Sequence, residues 1–210
     1  MEIVGLKRSG NQAILITIVA FLLFLGSTFL AKAQIKIDSY SMSSMRNLKN
    51  NNFDISISDD NTLWIDAYAT YNPGEKCGLK IEGFLQEDFI YTLEKAKEQY
   101  SEWEKICVEK KITDVRMKMD YVFASEGYFS YLNALKFDQN VTVIFAFTYF
   151  KGDYVLIMNL ERMTATDNEL VTFDGTSVIF NSEQEIDSFI SKISPESIAS
   201  HKAKLNTAGL

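Results

Sequence analysis

Phe89, Leu93, Ala96, Tyr100, Trp103 and Cys107 recur at intervals of 4, 3, 4, 3 and 4 residues, the spacing of one apolar stripe along about six turns of α-helix. The segments on either side follow a period of two. Phe53, Ile55 and Ile57 alternate with Asp54, Ser56 and Ser58 before the stripe. After it, Val115, Met117, Met119, Tyr121 and Phe123 alternate with Asp114, Arg116, Lys118 and Asp120. Such strands have one dry and one wet face. A single long helix, over residues 85–110, set between half-buried strands finds its partner in their dry face. The expected class is α+β: a mostly antiparallel β-sheet with one long helix packed on a face and C-terminal helices.

Turn chemistry supports antiparallel connections. Asp59-Asp60-Asn61 closes a hairpin into Leu63, Ile65, Ala67 and Ala69, and Asn72-Pro73-Gly74 makes a second turn before the strand carrying Leu79 and Ile81. Residues 128–137 read as a strand, and 141–150 are apolar at nearly every position, as in a central strand covered on both sides. Lys151-Gly152-Asp153 turns the chain into 154–160, while Asp174-Gly175 between 170–173 and 176–180 is a two-residue hairpin signal. Ser182 with Glu185 three residues on forms a capping box before Ile186, Phe189, Ile190 and Ile193. Pro195 then starts a further helical turn.

Lys7 and Arg8 precede an apolar run over 13–31 that ends in Ala31-Lys32-Ala33. A charged start, an apolar segment and small residues at a cleavage point describe a secretory signal peptide over 1–33, giving an exported, periplasmic or extracellular protein. Retention of the same run as a membrane anchor on a structural envelope protein is the alternative, because its length approaches the ~20 residues of a spanning helix. Beyond it, 34–52 read as a short strand and a polar connection, 53–205 as a single domain and 206–210 as a frayed tail. Residues 1–33 carry Lys7, Arg8 and Lys32 against Glu2, a net +2, so the remaining 177 residues hold −9 against −7 for the whole chain. That charge argues against nucleic acid as a partner and, after cleavage, against an anionic membrane surface.

The residue inventory limits chemistry. One histidine, His201, and two cysteines among 210 residues exclude a multi-histidine or four-thiolate metal site, and no metal or cofactor is expected. His201 lies in a peripheral tail, so neither a serine nor a cysteine nucleophile has an evident base. Asp59-Asp60 reads as a solvated turn. In an oxidising compartment Cys77 and Cys107 invite a disulfide. If the strand containing Cys77 runs antiparallel beneath the helix, the two residues meet, and the geometry permits a bridge. A carboxylate-dependent hydrolase of an envelope or extracellular polymer needs only two acids at the right separation. Glu82, Glu126, Asp138 and Asp153 fall near strand ends where a site could form.

The one compositional excess is aromatic: Tyr128, Phe129, Tyr131, Phe137, Phe145, Phe147, Tyr149, Phe150 and Tyr154 fall within 27 residues. A single helix covers only part of one sheet face, so some of these rings are left to meet a partner protein, an amphipathic ligand or another copy of the chain. Tyr128, Tyr131, Tyr149 and Tyr154 are the candidates, because a buried phenol needs a partner for its hydroxyl. The expectation is a secreted or periplasmic, non-enzymatic binding domain using an aromatic sheet face.

Overall fold

The computed structural model describes residues 34–42, 51–68 and 76–207. Residues 1–33, where a signal peptide is expected, the expected polar connection over 43–50, the expected Asn72-Pro73-Gly74 turn and residues 208–210 lie outside them. Gln34–Leu210 forms one compact unit. Among the described residues no helix is long and apolar enough to cross a membrane.

Among the described residues ten strands form: β1 (Gln34–Met42), β2 (Asn51–Ser58), β3 (Leu63–Tyr68), β4 (Lys76–Ile81), β5 (Arg116–Tyr131), β6 (Ala134–Phe150), β7 (Asp153–Leu160), β8 (Met163–Ala165), β9 (Asn168–Phe173) and β10 (Thr176–Phe180). Eight of them make an antiparallel sheet in the order β1-β2-β3-β4-β5-β6-β7-β10. It is a meander broken by two insertions. Between β4 and β5 the chain passes through a 3₁₀ turn (Gly83–Leu85) and helix α1 (Gln86–Lys110); between β7 and β10 it forms the separate β8–β9 hairpin. Helices α2 (Glu183–Ile193) and α3 (Pro195–Thr207) follow. The expected α+β architecture is therefore the one that forms.

The helical stripe does what its spacing requires. Phe89, Leu93, Ala96, Tyr100 and Cys107 are buried and Trp103 is half-buried. Phe89 meets Phe123 of β5 at 4.9 Å between ring centroids, and Tyr100 and Trp103 meet Phe147 of β6 at 5.7 and 5.8 Å. Phe189 of α2 joins the layers, contacting Phe53 of β2 at 5.6 Å, Phe180 of β10 at 5.4 Å and Phe89 at 6.4 Å. Strands β2 and β10 are far apart in the sheet order, yet both reach this one ring. The sheet must curl around the helices for that, as the twist of a large antiparallel sheet allows. Ser182 caps α2 by accepting from the Glu185 amide at 3.3 Å, while the Glu185 carboxylate returns to the Asn181 amide at 2.7 Å.

Two connections differ from the sequence expectation. Strand β5 does not end before Tyr128: it runs through Gly127 to Tyr131 and turns at Leu132-Asn133 into β6. Asp174-Gly175 does not close a hairpin, because β9 pairs with β8 and β10 pairs with β7. Gly175, at φ +81°, is needed for close approach: a Cβ there would stand 2.8 Å from the Glu161 carbonyl oxygen and nearer still to that of Leu160.

Candidate functional site

Among the described residues the β5–β6 hairpin is the longest pairing, and its distal end runs past the described parts of its neighbours. Strand β4 pairs with β5 as far as Phe129, and β7 pairs with β6 only from Val143 onward. The distal part of β6 is instead braced by the β8–β9 hairpin. Thr166 donates its amide to the Phe137 carbonyl at 2.8 Å, and Lys136 pairs with Asp167 at 2.6 Å. Leu135, Lys136, Phe137, Thr166 and Asp167 line a groove of about 270 Å³ between the two hairpins.

At the tip, the register pair Tyr131 and Ala134 leaves Leu132 and Asn133 as a two-residue loop. Their φ angles are +48° and +64°, left-handed at both central positions as in a type I′ turn, which favours Asn or Gly. Leucine in that conformation costs about 1–2 kcal/mol. Leu132 is nevertheless 81% exposed, flanked by Tyr131 at 41% and Leu135 at 48%. A strained leucine left mostly in solvent buries little apolar surface for the fold, which makes the tip a functional candidate.

A second feature lies about five residues back along the same hairpin. Ser125 pairs with Val141 and Gly127 with Asp138, so Glu126 alone opposes both Gln139 and Asn140. This is a β-bulge, a device that re-aims side chains and is enriched beside functional sites. Asp138 pins it: one carboxylate oxygen accepts from the Asn140 amide at 3.0 Å and the other from the Thr164 amide at 2.7 Å. The bulge opens onto a cleft of about 360 Å³ lined by Lys80, Glu82, Leu85, Ala124, Ser125, Glu126, Gln139 and Asn140. Lys80 is ion-paired with Glu126, and Ser125 Oγ donates to the Lys80 carbonyl at 2.7 Å.

The four sequence candidates do not share a face. Tyr128 is 2% exposed, packs edge-on to Trp64 at 5.2 Å and donates its hydroxyl to Asp66 Oδ1. Burial pushes its phenol well above the ordinary value, and the neighbouring Asp66 charge adds to this. Tyr149 and Tyr154 are half-buried partners beside the β6–β7 turn, 5.0 Å apart. Tyr154 stacks on Phe147 at 5.6 Å and donates to the Ile112 carbonyl at 2.8 Å, tying down the end of α1. Only Tyr131 belongs to the exposed tip. Most of the remaining aromatic excess serves the interior, where Phe129, Phe145 and Phe147 are buried.

Cys77 and Cys107 are separate buried thiols, so the bridge that the spacing permitted is absent. The assumed geometry is reversed. Helix α1 does not fold back over β4; it continues in the direction of β4, placing Phe89 on Phe123 and Tyr100 on Phe147, whose register partner is Met117. Cys77 pairs with Phe129, twelve residues along β5 from Met117. The two thiols therefore lie toward opposite ends of that strand, far beyond the ~7 Å limit between Cα atoms.

Of the four carboxylates, Glu82 and Glu126 line the bulge cleft, Asp138 is the structural pin, and Asp153 opens β7 opposite Phe150. Asp60 accepts from Ser58 Oγ at 2.6 Å and from the Thr62 amide at 3.2 Å, as a turn residue does. His201 is half-buried on α3. Among the described residues no group of three or more histidines, cysteines or acids could hold a metal ion. Leu132 and the bulge were missed in the sequence, though Asp138-Gln139-Asn140 interrupts an otherwise apolar run and signals a break in the strand. No family model, curated protein or solved structure matches the chain.

Proposed function

We propose that this chain is an exported, non-enzymatic binding domain that seats the Tyr131–Leu132–Leu135 tip in an apolar recess of a partner protein. The observation that carries this reading is Leu132, strongly exposed in a backbone conformation that a leucine adopts only at a cost. The hairpin beneath it, braced by the Thr166–Phe137 and Lys136–Asp167 contacts, supports the same reading, because a preordered tip loses little entropy on docking. Lys136 and Asp167 beside the tip provide the polar rim that surrounds an apolar anchor in protein interfaces.

A photo-crosslinking residue at 132 tests this in the native host. One discrete adduct is expected, absent when the crosslinker stands at exposed Glu94 and diminished when Tyr131 and Leu135 are changed to Ser. Equal labelling from both positions would refute the reading. Mass spectrometry of the exported protein tests export itself, with a mature start at Gln34 expected. The hydrolase reading has one favourable observation, the presence of Glu82 and Glu126 in one cleft. Because Glu126 already engages Lys80, that arrangement supports ligand binding better than a pair of acids flanking a scissile bond.

A further inference from the structure

We propose that the bulge cleft is a second, independent binding site, one that takes a neutral polyhydroxylated ligand of one or two sugar rings. Its charges argue for a neutral ligand. Lys80 and Glu126 cancel one another, leaving Glu82 as the one other charged group in the lining. A single uncommitted carboxylate repels phosphates and acidic polymers, and it falls far short of the six to eight oxygens that calcium takes.

The polar lining suits vicinal hydroxyls. Gln139 and Asn140 each offer a carbonyl acceptor and two N–H donors, and a carboxylate accepts from two hydroxyls at once. A sugar presents donor–acceptor groups at a similar spacing around its ring. The bulge sets Gln139 and Asn140 together opposite Glu126, and all three residues line this cleft. Leu85 and Ala124 supply apolar surface for the C–H face of a ring. Phe84, between two lining residues in the 3₁₀ turn, is 75% exposed and is available to stack on it. The cleft volume is near the lower end of small-molecule sites, about 300–1,000 Å³, which limits the ligand to one or two rings.

Isothermal titration calorimetry of the full chain with cellobiose, maltose and N,N′-diacetylchitobiose tests the proposal, with inorganic phosphate and spermidine as charged probes. Saturable binding of at least one disaccharide is expected, unchanged by added salt because the ligand is neutral. Asn140→Ala and Glu82→Gln should each weaken it by about tenfold, and both change exposed side chains that the fold does not use. Leu132→Asn should bind the sugar as the parent does, so loss of the tip function and loss of this site are distinguishable. Binding of spermidine or phosphate in place of every disaccharide would overturn the proposal. So would disaccharide binding that neither cleft variant alters, or no disaccharide binding at all.

Discussion

The hydroxyl end of the Tyr128 ring covers Gly78. The two are register partners on β5 and β4, and a Cβ at position 78 would stand 2.5 Å from the tyrosine hydroxyl oxygen, 2.8 Å from Cζ and closer still to the Ile65 carbonyl oxygen. An aromatic ring covering a strand glycine compensates for the side chain that the glycine lacks. With backbone on one side and a ring held by Asp66 and Trp64 on the other, an added methyl has no room. Gly78→Ala should therefore destabilise the protein by roughly 1–3 kcal/mol. Thermal denaturation followed by circular dichroism should show a midpoint lower by about 3 °C for each kcal/mol.

Leu132 should show the opposite sign. Asn tolerates the left-handed region that leucine resists, and the loop has the type I′ form that favours Asn at its first position. Leu132→Asn is expected to raise stability by about 1 kcal/mol while abolishing the crosslink to the partner made from a photo-crosslinking residue placed at Leu135. A variant that is less stable than the parent, measured by urea denaturation, would mean that the leucine packs usefully in the folded state.

The elements that were legible in sequence are those fixed by local periodicity. Phe89 to Cys107 could only be a helical stripe, and Phe53, Ile55 and Ile57 could only be one face of a strand. Failures came where tertiary pairing overrode local signals. Asp174-Gly175 has hairpin chemistry, but β7 was already waiting for β10 and the glycine was used for close approach to residues 160 and 161. The Leu132-Asn133 turn carried no glycine, so a strand read through it. The four tyrosines have similar neighbours in sequence yet distinct fates, because the register of β5 on β4 and β6 decides which ring falls over a glycine, which joins the core and which stays outside.

Alkaline pH should weaken the fold. Burial raises the phenols of Tyr100 and Tyr128 above their ordinary value, with Glu104 adding to the effect on Tyr100 and Asp66 on Tyr128. The folded state then holds these protons more tightly than the unfolded state does. Their contribution is fully present below the unfolded value of about 10 and is lost as pH rises through the folded values. Urea midpoints should be level between about pH 8 and 9.5 and fall above about pH 10. Tyr128→Phe should be less stable at neutral pH, having lost the hydrogen bond to Asp66, but should show a shallower alkaline decline. An unchanged alkaline slope in this variant would assign the effect to other groups.

Cys77 and Cys107 supply a test of the topology. Cys77 Sγ lies 3.8 Å from the Ala67 carbonyl oxygen as a weak donor within the sheet, and Cys107 is buried near the end of α1. Passage through an oxidising compartment does not bridge thiols that the fold holds apart, because a disulfide needs Cα atoms within ~7 Å. Iodoacetamide should leave both residues unmodified in the native protein and label both after denaturation without reductant, as read by intact mass. Labelling that requires reductant would place Cys77 and Cys107 together and would contradict the direction in which α1 crosses the sheet. Labelling of both without denaturant would contradict their burial instead. Of these outcomes, only protection followed by full labelling fits a helix that leaves β4 behind and runs on toward the β6–β7 turn.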